Sequence, residues 1–171
     1  MATLSGLLRR QESAPPIATA AADASVRVGS CRVREIGRVR ALQLRCFRKS
    51  LAYRRTTLFS LWVWPDVKFL VARRGEEIVG AVIGDQHEGV SRVVSICVDP
   101  GAQRLGIGRE LLAAIEQELP HGPMVLMVEN TNASARALYL ACDYRQVGIQ
   151  RNYYGAGRDG IWMRKDRTVT Q

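Results

Sequence analysis

The stretch VDPGAQRLGIGRELL, residues 98–112, decides how the rest of the chain is read. An apolar segment ends at Val98 and meets Pro100; the run Gln103, Arg104, Leu105, Gly106, Ile107, Gly108, Arg109 then opens a helix. Two poor helix formers therefore stand where a helix must start. The first turn of a helix leaves about four backbone N–H groups without partners and carries a partial positive charge. Glycines at that point let an anionic group approach the backbone, which makes the stretch a device for holding a phosphate. Two familiar phosphate loops fail on spacing. A P-loop needs Gly-Lys-Ser/Thr, whereas Gly108 is followed by Arg109 and Glu110. The dinucleotide fingerprint needs three glycines in an early βαβ unit, whereas this chain has two of them, with three strands already placed ahead. The plainer rival is that Gly106 and Gly108 permit close helix packing, and the constellation around them weighs against it.

Composition sets the bounds. A chain of 171 residues with 47% hydrophobic content fits one domain with a sizeable core. No apolar run approaches the roughly 18 residues of a membrane span, so a soluble protein is expected. Cys31, Cys46, Cys97 and Cys142 are widely separated within apolar patterns, with no CxxC and no histidine at ligand spacing. They read as buried free thiols of a reducing, cytoplasmic compartment, with no metal site. The net charge of +9 is concentrated between Arg27 and Arg55, where ten cations face only Glu35. That face suits phosphates, an acidic substrate or RNA, or is simply a solvated helix surface. Residues 1–25, rich in Ala, Ser, Thr and Pro, read as a disordered tail. A signal peptide fits poorly, because Arg9 and Arg10 follow the short apolar LSGLL instead of preceding it.

Outward from the quoted stretch, hydrophobic periodicity predicts the elements. Ser25 to Gly29 reads as a short strand. Val33, Ile36, Val39 and Leu42, then Cys46 and Phe47, form one helical face ending near Arg48. A shorter helix over Tyr53 to Trp62 is closed by Pro65. VKFLVARR (67–74), EEIVGAVIGDQ (76–86) and SRVVSICVD (91–99) read as consecutive strands, the third apolar enough for the middle of a sheet. A helix from Leu105 to Leu119, a strand at 124–129 and a helix at 133–142 come next. YRQVGIQRNYY (144–154) and DGIWMRK (159–165) pair as a closing hairpin around GAGR. The order β-α-α-β-β-β-α-β-α-β-β is mixed α/β (α+β), with an antiparallel half and a parallel crossover, in one domain over 26–168.

VDPGAQRLGIGRELL resembles the acetyl-CoA pyrophosphate loop of the GNAT superfamily of N-acetyltransferases. ENTNASARALYLACDY is similar to that family's next motif, an Asn followed seven residues later by Leu-Tyr. IQRNYYGAGRDGIWM resembles the closing hairpin of the bacterial ribosomal-protein N-terminal alanine acetyltransferases, and Cys46-Phe47 also fits those relatives. The resemblance covers residues 26–165 and implies a mixed sheet of about seven strands with a splayed cofactor cleft. It implies that Ile96, Cys97 and Val98 hold the pantetheine arm and thioester by backbone hydrogen bonds, and that Arg104 to Arg109 wrap the pyrophosphate with Gln103 beside them. Asn132 is then expected to bond the cofactor arm, Tyr139 to donate a proton to the departing sulfur, and Tyr153 and Tyr154 to line the acceptor groove.

The chain departs from those relatives in three places. Where they carry a glutamate as base, twelve residues before the tyrosine, this chain has Met127. Glu129, two residues on and turned to the same face by strand alternation, is the candidate base, with a water near Ser95 as the other. Cys142-Asp143-Tyr144 stands for Gly-Phe after the helix, with Asp143 in the left-handed cap at some cost. The loop after Tyr154 is also shorter. The function expected is acetyl-CoA-dependent N-acetylation of a peptide N-terminus, possible acceptors including a ribosomal protein. Two alternatives stay open: acetylation of a small amine such as a polyamine or aminoglycoside, and a non-catalytic acyl-CoA-binding or RNA-associated module.

Overall fold

In the computed structural model, which describes residues 25–167, the elements follow the expected order. The expected tail, apart from Ser25, and the domain's last residue at 168 lie outside the described residues. The chain runs β1 (Val26–Ser30), α1 (Ile36–Cys46), α2 (Arg55–Val63), β2 (Val67–Arg74), β3 (Glu77–His87) and β4 (Val90–Val98). It continues through α3 (Ile107–Glu118), β5 (Met124–Glu129), α4 (Ala133–Leu140), β6 (Arg145–Gln150) and β7 (Gly160–Lys165). A 3-10 turn over Val33–Glu35 takes the first turn predicted for α1. Helix α3 begins two residues later than its periodicity suggests, because Gly106 is left-handed, with φ of 82°, and serves as its N-cap.

The seven strands form one mixed sheet in the order β1-β2-β3-β4-β5-β7-β6. Only β4 and β5 are parallel, as the crossover through α3 requires. Strand β7 returns between β5 and β6, so the last hairpin is inserted by its second strand, an arrangement that alternation alone does not specify. Helices α1 and α2 cover one face over Val39, Leu42, Leu58, Val71 and Ile83. Helices α3 and α4 cover the other over Leu111, Ile115, Leu126 and Tyr139. Each fully buried Leu or Ile in these layers contributes about 1.5–3 kcal/mol.

Two close approaches fix α3. At Gly84 of β3, an added Cβ would lie 2.8 Å from Ile115 Cγ1 and from Leu119 Cδ1, and 3.0 Å from the Arg92 carbonyl oxygen. At the same C-terminal end of the helix, Arg167 caps the free carbonyls: Nη1 donates to Glu116 O at 3.0 Å and Leu119 O at 2.6 Å, and Nη2 to Ser91 Oγ at 2.9 Å. A guanidinium at a helix C-terminus also complements the helix dipole. The segment after β7 is thereby tied to both α3 and β4.

The cap after α4 takes the form read from sequence. Tyr144 N donates to Tyr139 O at 3.0 Å, five residues back, and Asp143 sits at φ of 66°. Tyr144 is buried, and its hydroxyl donates to Glu116 Oε1 at 2.9 Å. Asp143 is exposed, so its backbone strain is not offset by packing. Asp143→Gly is expected to raise stability by about 0.5–1 kcal/mol, read as a higher denaturant midpoint with an unchanged slope. A lowered midpoint would show that the aspartate side chain holds the cap.

Candidate active site

The site begins where two strands part. β4 and β5 pair over Ser91–Met124, Arg92–Val125 and Val93–Leu126, and nowhere beyond. The register of β4 against β3 slips at this point, leaving Val94 as an extra residue between Val93 and Ser95. Such a bulge bends its strand and ends pairing on the far side. From Val94 to Val98, β4 therefore keeps β3 as a partner while its other edge is open. Asp99 N donates to Val79 O on β3 at 2.8 Å, so alternation turns the backbone groups of Ile96 and Val98 toward the gap and those of Cys97 toward β3. The Cys97 side chain is buried under α1. The Val98 carbonyl accepts from Gln103 Nε2 at 3.2 Å and from Cys46 Sγ at 3.3 Å, which pins the strand end to the loop and to α1.

The glycines at the start of α3 have different reasons. Gly106 is left-handed, and a Cβ added there would meet nothing within 4 Å, so this residue opens the backbone to the cleft. A Cβ on Gly108 would lie 2.9 Å from Leu138 Cδ2 of α4 and 3.8 Å from Val98 Cγ2. Gly108 thus seats α3 against α4, and the packing explanation holds for that one residue. Arg104 is also left-handed, φ 66°, and Arg104, Leu105 and Arg109 are exposed around the helix start, where Ile107 anchors the turn in the core. An open strand edge beside a bare helix N-terminus with two exposed arginines fits an extended ligand that ends in a pyrophosphate. Asn132 is the N-cap of α4, its Oδ1 accepting from Ala135 N at 3.1 Å, which leaves its amide nitrogen for a ligand.

The loop from Arg151 to Asp159 brings the remaining residues over the other side of the gap. Tyr154 Oη donates to the Met127 carbonyl at 3.0 Å, and its ring meets Tyr153 edge-on with centroids 4.9 Å apart. Tyr153 is half exposed. Burial, then Tyr153 and Glu129, push the Tyr154 hydroxyl up to about 12, so it stays protonated. Tyr139 is buried, 5.9 Å from Tyr144 between ring centroids, and burial first and Tyr154 second raise its pKa. Its hydroxyl has no hydrogen-bond partner among the described residues. A neutral phenol with a free O–H is a competent donor.

Glu129 lies on the same face as Met127, as alternation requires, but both its oxygens are taken. Arg158 Nε donates to Oε1 at 2.6 Å and Nη2 to Oε2 at 2.8 Å, while Arg158 Nη1 donates to Tyr154 O at 2.8 Å. That guanidinium holds the Glu129 carboxyl below its ordinary range. It is thereby a weaker proton acceptor than the expected base. Arg158 carries no signal in the sequence beyond its place in a Gly-rich turn. Gln43 has none either: nearly fully buried, its Oε1 accepts from Tyr53 N at 3.1 Å and sets the loop before α2.

An open β4 edge, a bare α3 start and an aromatic hairpin across the gap define an acyl-CoA-dependent transferase. The sequence pattern of the Acetyltransferase (GNAT) family matches residues 36–144, and the chain belongs to that family. The N-alpha-acetyltransferase RimI of Mycobacterium tuberculosis is 34% identical over 113 residues, covering 60% of this chain and 68% of that one. A ribosomal protein bS18 alanine N-acetyltransferase of Salmonella typhimurium is 43% identical over 63 residues, 35% of this chain and 43% of that protein. The crystal structure of the ribosomal-protein-S18-alanine N-acetyltransferase from Escherichia coli matches with a TM-score of 0.77 at 22% identity, covering 86% of this chain and 97% of that one. The protein is an acetyl-CoA-dependent N-acetyltransferase, which sets aside the non-catalytic module.

Breaking the Glu129–Arg158 pair separates its two readings. Glu129→Gln and Arg158→Gln are each expected to raise acceptor KM several-fold with kcat within about threefold, and the double variant to be no worse than either single one. Loss of kcat in Glu129→Gln alone, with KM unchanged, would restore Glu129 as the base.

Proposed function

We propose that the acceptor is the α-amino group of a peptide, of which a ribosomal protein N-terminus is one candidate, and that the enzyme works in the cytoplasm. When bound, acetyl-CoA supplies a thioester acetyl group that a neutral amine attacks. The chain's own residues then have three tasks. The backbone of Ile96 and Val98 orients the donor along β4, strand fashion. Arg104, Arg109 and the first N–H groups of α3 hold the anionic end. Tyr139, neutral, gives a proton to the departing sulfur and recovers one, through solvent, from the amine nitrogen as the C–N bond forms. Tyr153 and Tyr154 wall the acceptor side.

The observation that supports the choice of amine is that Glu129, the acid nearest the expected base position, is committed to an arginine, as are two other acids near the ends of β3 and β4. Asp85 is paired with Arg92, Asp99 with Arg45 and Glu129 with Arg158. Met127 occupies the position where a base is expected. With each of these acids held by an arginine, the amine's own pKa governs how much of it arrives neutral. An α-amino group titrates near 7.7–8.0 and a lysine near 10.4, so at pH 7.5 roughly a third of the former is neutral against about one in a thousand of the latter. That difference favours an N-terminus over lysines and polyamines by about 250-fold before any contact is made. The names of the relatives, an N-alpha-acetyltransferase and an alanine N-acetyltransferase, point the same way.

Peptides that differ only in a free or blocked α-amine, with or without lysine, test this in a free-thiol release assay. The free N-terminus is expected to be acetylated with kcat/KM rising tenfold per pH unit and levelling near the pKa of the amine, about 8. Equal rates on lysine, or a plateau reached already at pH 6, would contradict the reading.

A further inference from the structure

Residues 27–55 hold ten cations and one acid, an excess of nine that equals the net charge of the whole chain. All other charges in the protein balance. The single acid neutralises little, because Glu35 is buried and committed: it accepts from Arg73 Nε at 2.8 Å, Arg73 Nη2 at 2.7 Å and Arg32 N at 2.7 Å. The Arg73 hydrogen bond holds its carboxyl down at about 2. Arg27 on β1 and Arg32 and Arg34 at the 3-10 turn, with Arg38 and Arg73, line a cleft of about 620 Å³ against the two acids Glu35 and Glu76. Arg27, Arg32 and Arg34 are exposed, and their side chains have no ion pair or hydrogen bond among the described residues. The same holds for Arg48, Lys49 and Arg54 at the other end of the segment. Like charges held together repel, and a polyanion relieves the repulsion.

We propose that this face docks structured RNA through its phosphate backbone, with the cleft of Arg27, Arg32 and Arg34 at its centre. Nine of the ten cations are arginines, whose planar fork matches a phosphate with two hydrogen bonds. They are spread over β1, the 3-10 turn, α1 and the loop before α2, an array suited to regularly spaced phosphates more than to one small anion. No aromatic residue occurs between Arg27 and Arg38, so the contact is with the backbone and carries no base readout. The choice of RNA among polyanions rests on the acceptor reading above, since a ribosomal protein presents its N-terminus within an RNA particle. Docking there raises the local concentration of the acceptor.

Fluorescence anisotropy of a labelled RNA duplex of about 16 base pairs, titrated with the full chain at several salt concentrations, tests the proposal. Affinity is expected to fall with salt, with a log–log slope of about −0.9 for each phosphate contacted. The triple variant Arg27→Gln, Arg32→Gln, Arg34→Gln is expected to bind at least tenfold more weakly at about 0.1 M salt, with a slope flatter by about 3. Its kcat/KM on a free peptide is expected to stay within twofold of the parent, which also shows that it folds. Unchanged RNA affinity in the triple variant, or equal affinity for polyglutamate or a DNA duplex, would overturn RNA docking. Failure to acetylate any free N-terminus, with RNA binding intact, would instead overturn the acceptor reading on which the choice of RNA rests.

Discussion

β4 and β5 hold together over three residue pairs and then separate, and both halves of the site depend on that separation. Its cause is local. The extra residue Val94 bends β4 just after its last pair with β5, beside Gly84, where the absence of a side chain lets Ile115, Leu119 and the Arg92 carbonyl close in. The bend leaves Ile96 and Val98 with backbone groups facing a gap instead of a strand. A backbone edge in that state binds an extended ligand as a sheet binds a strand. The end of β4 leads into the start of α3, so strand edge and helix N-terminus adjoin.

On the other side of the gap, electrostatics replaces backbone geometry. Asp85 is tied to Arg92 and Glu129 to Arg158, and the second tie also fastens the carbonyl of Tyr154. The ion pair therefore positions an aromatic wall. It also removes Glu129 from the pool of free proton acceptors. A depressed carboxyl pKa means that this tie holds at neutral pH and weakens as acid protonates Glu129. Tyr139, by contrast, is set mainly by burial with no ion partner, and so stays a neutral phenol across the working range.

Much of this is legible in the residues because period and turn chemistry are local. The strands at 67–74 and 124–129 lie where β-branched runs and their boundaries place them, and Asp143 adopts the left-handed cap that its position after α4 demands. The start of α3 is readable because Gly106 takes the left-handed conformation that glycine adopts without strain. What is not legible depends on residues distant in sequence. The insertion of β7 beside β5 follows from which edges remain open after folding. Gly108 answers to Leu138, thirty residues away, and Glu129 to Arg158, twenty-nine away. Arg167 has no periodic signature at all, yet it caps α3 by four carbonyls that only the tertiary fold assembles.

The most direct test of the central claim is amide hydrogen exchange, residue by residue, with and without coenzyme A. The open-edge account predicts new protection at Ile96, Val98 and the first free N–H groups of α3, at Ile107 and Gly108, with little change at Cys97, which already faces β3. Protection confined to other segments, or none at Ile96 and Val98 under saturating coenzyme A, would contradict it.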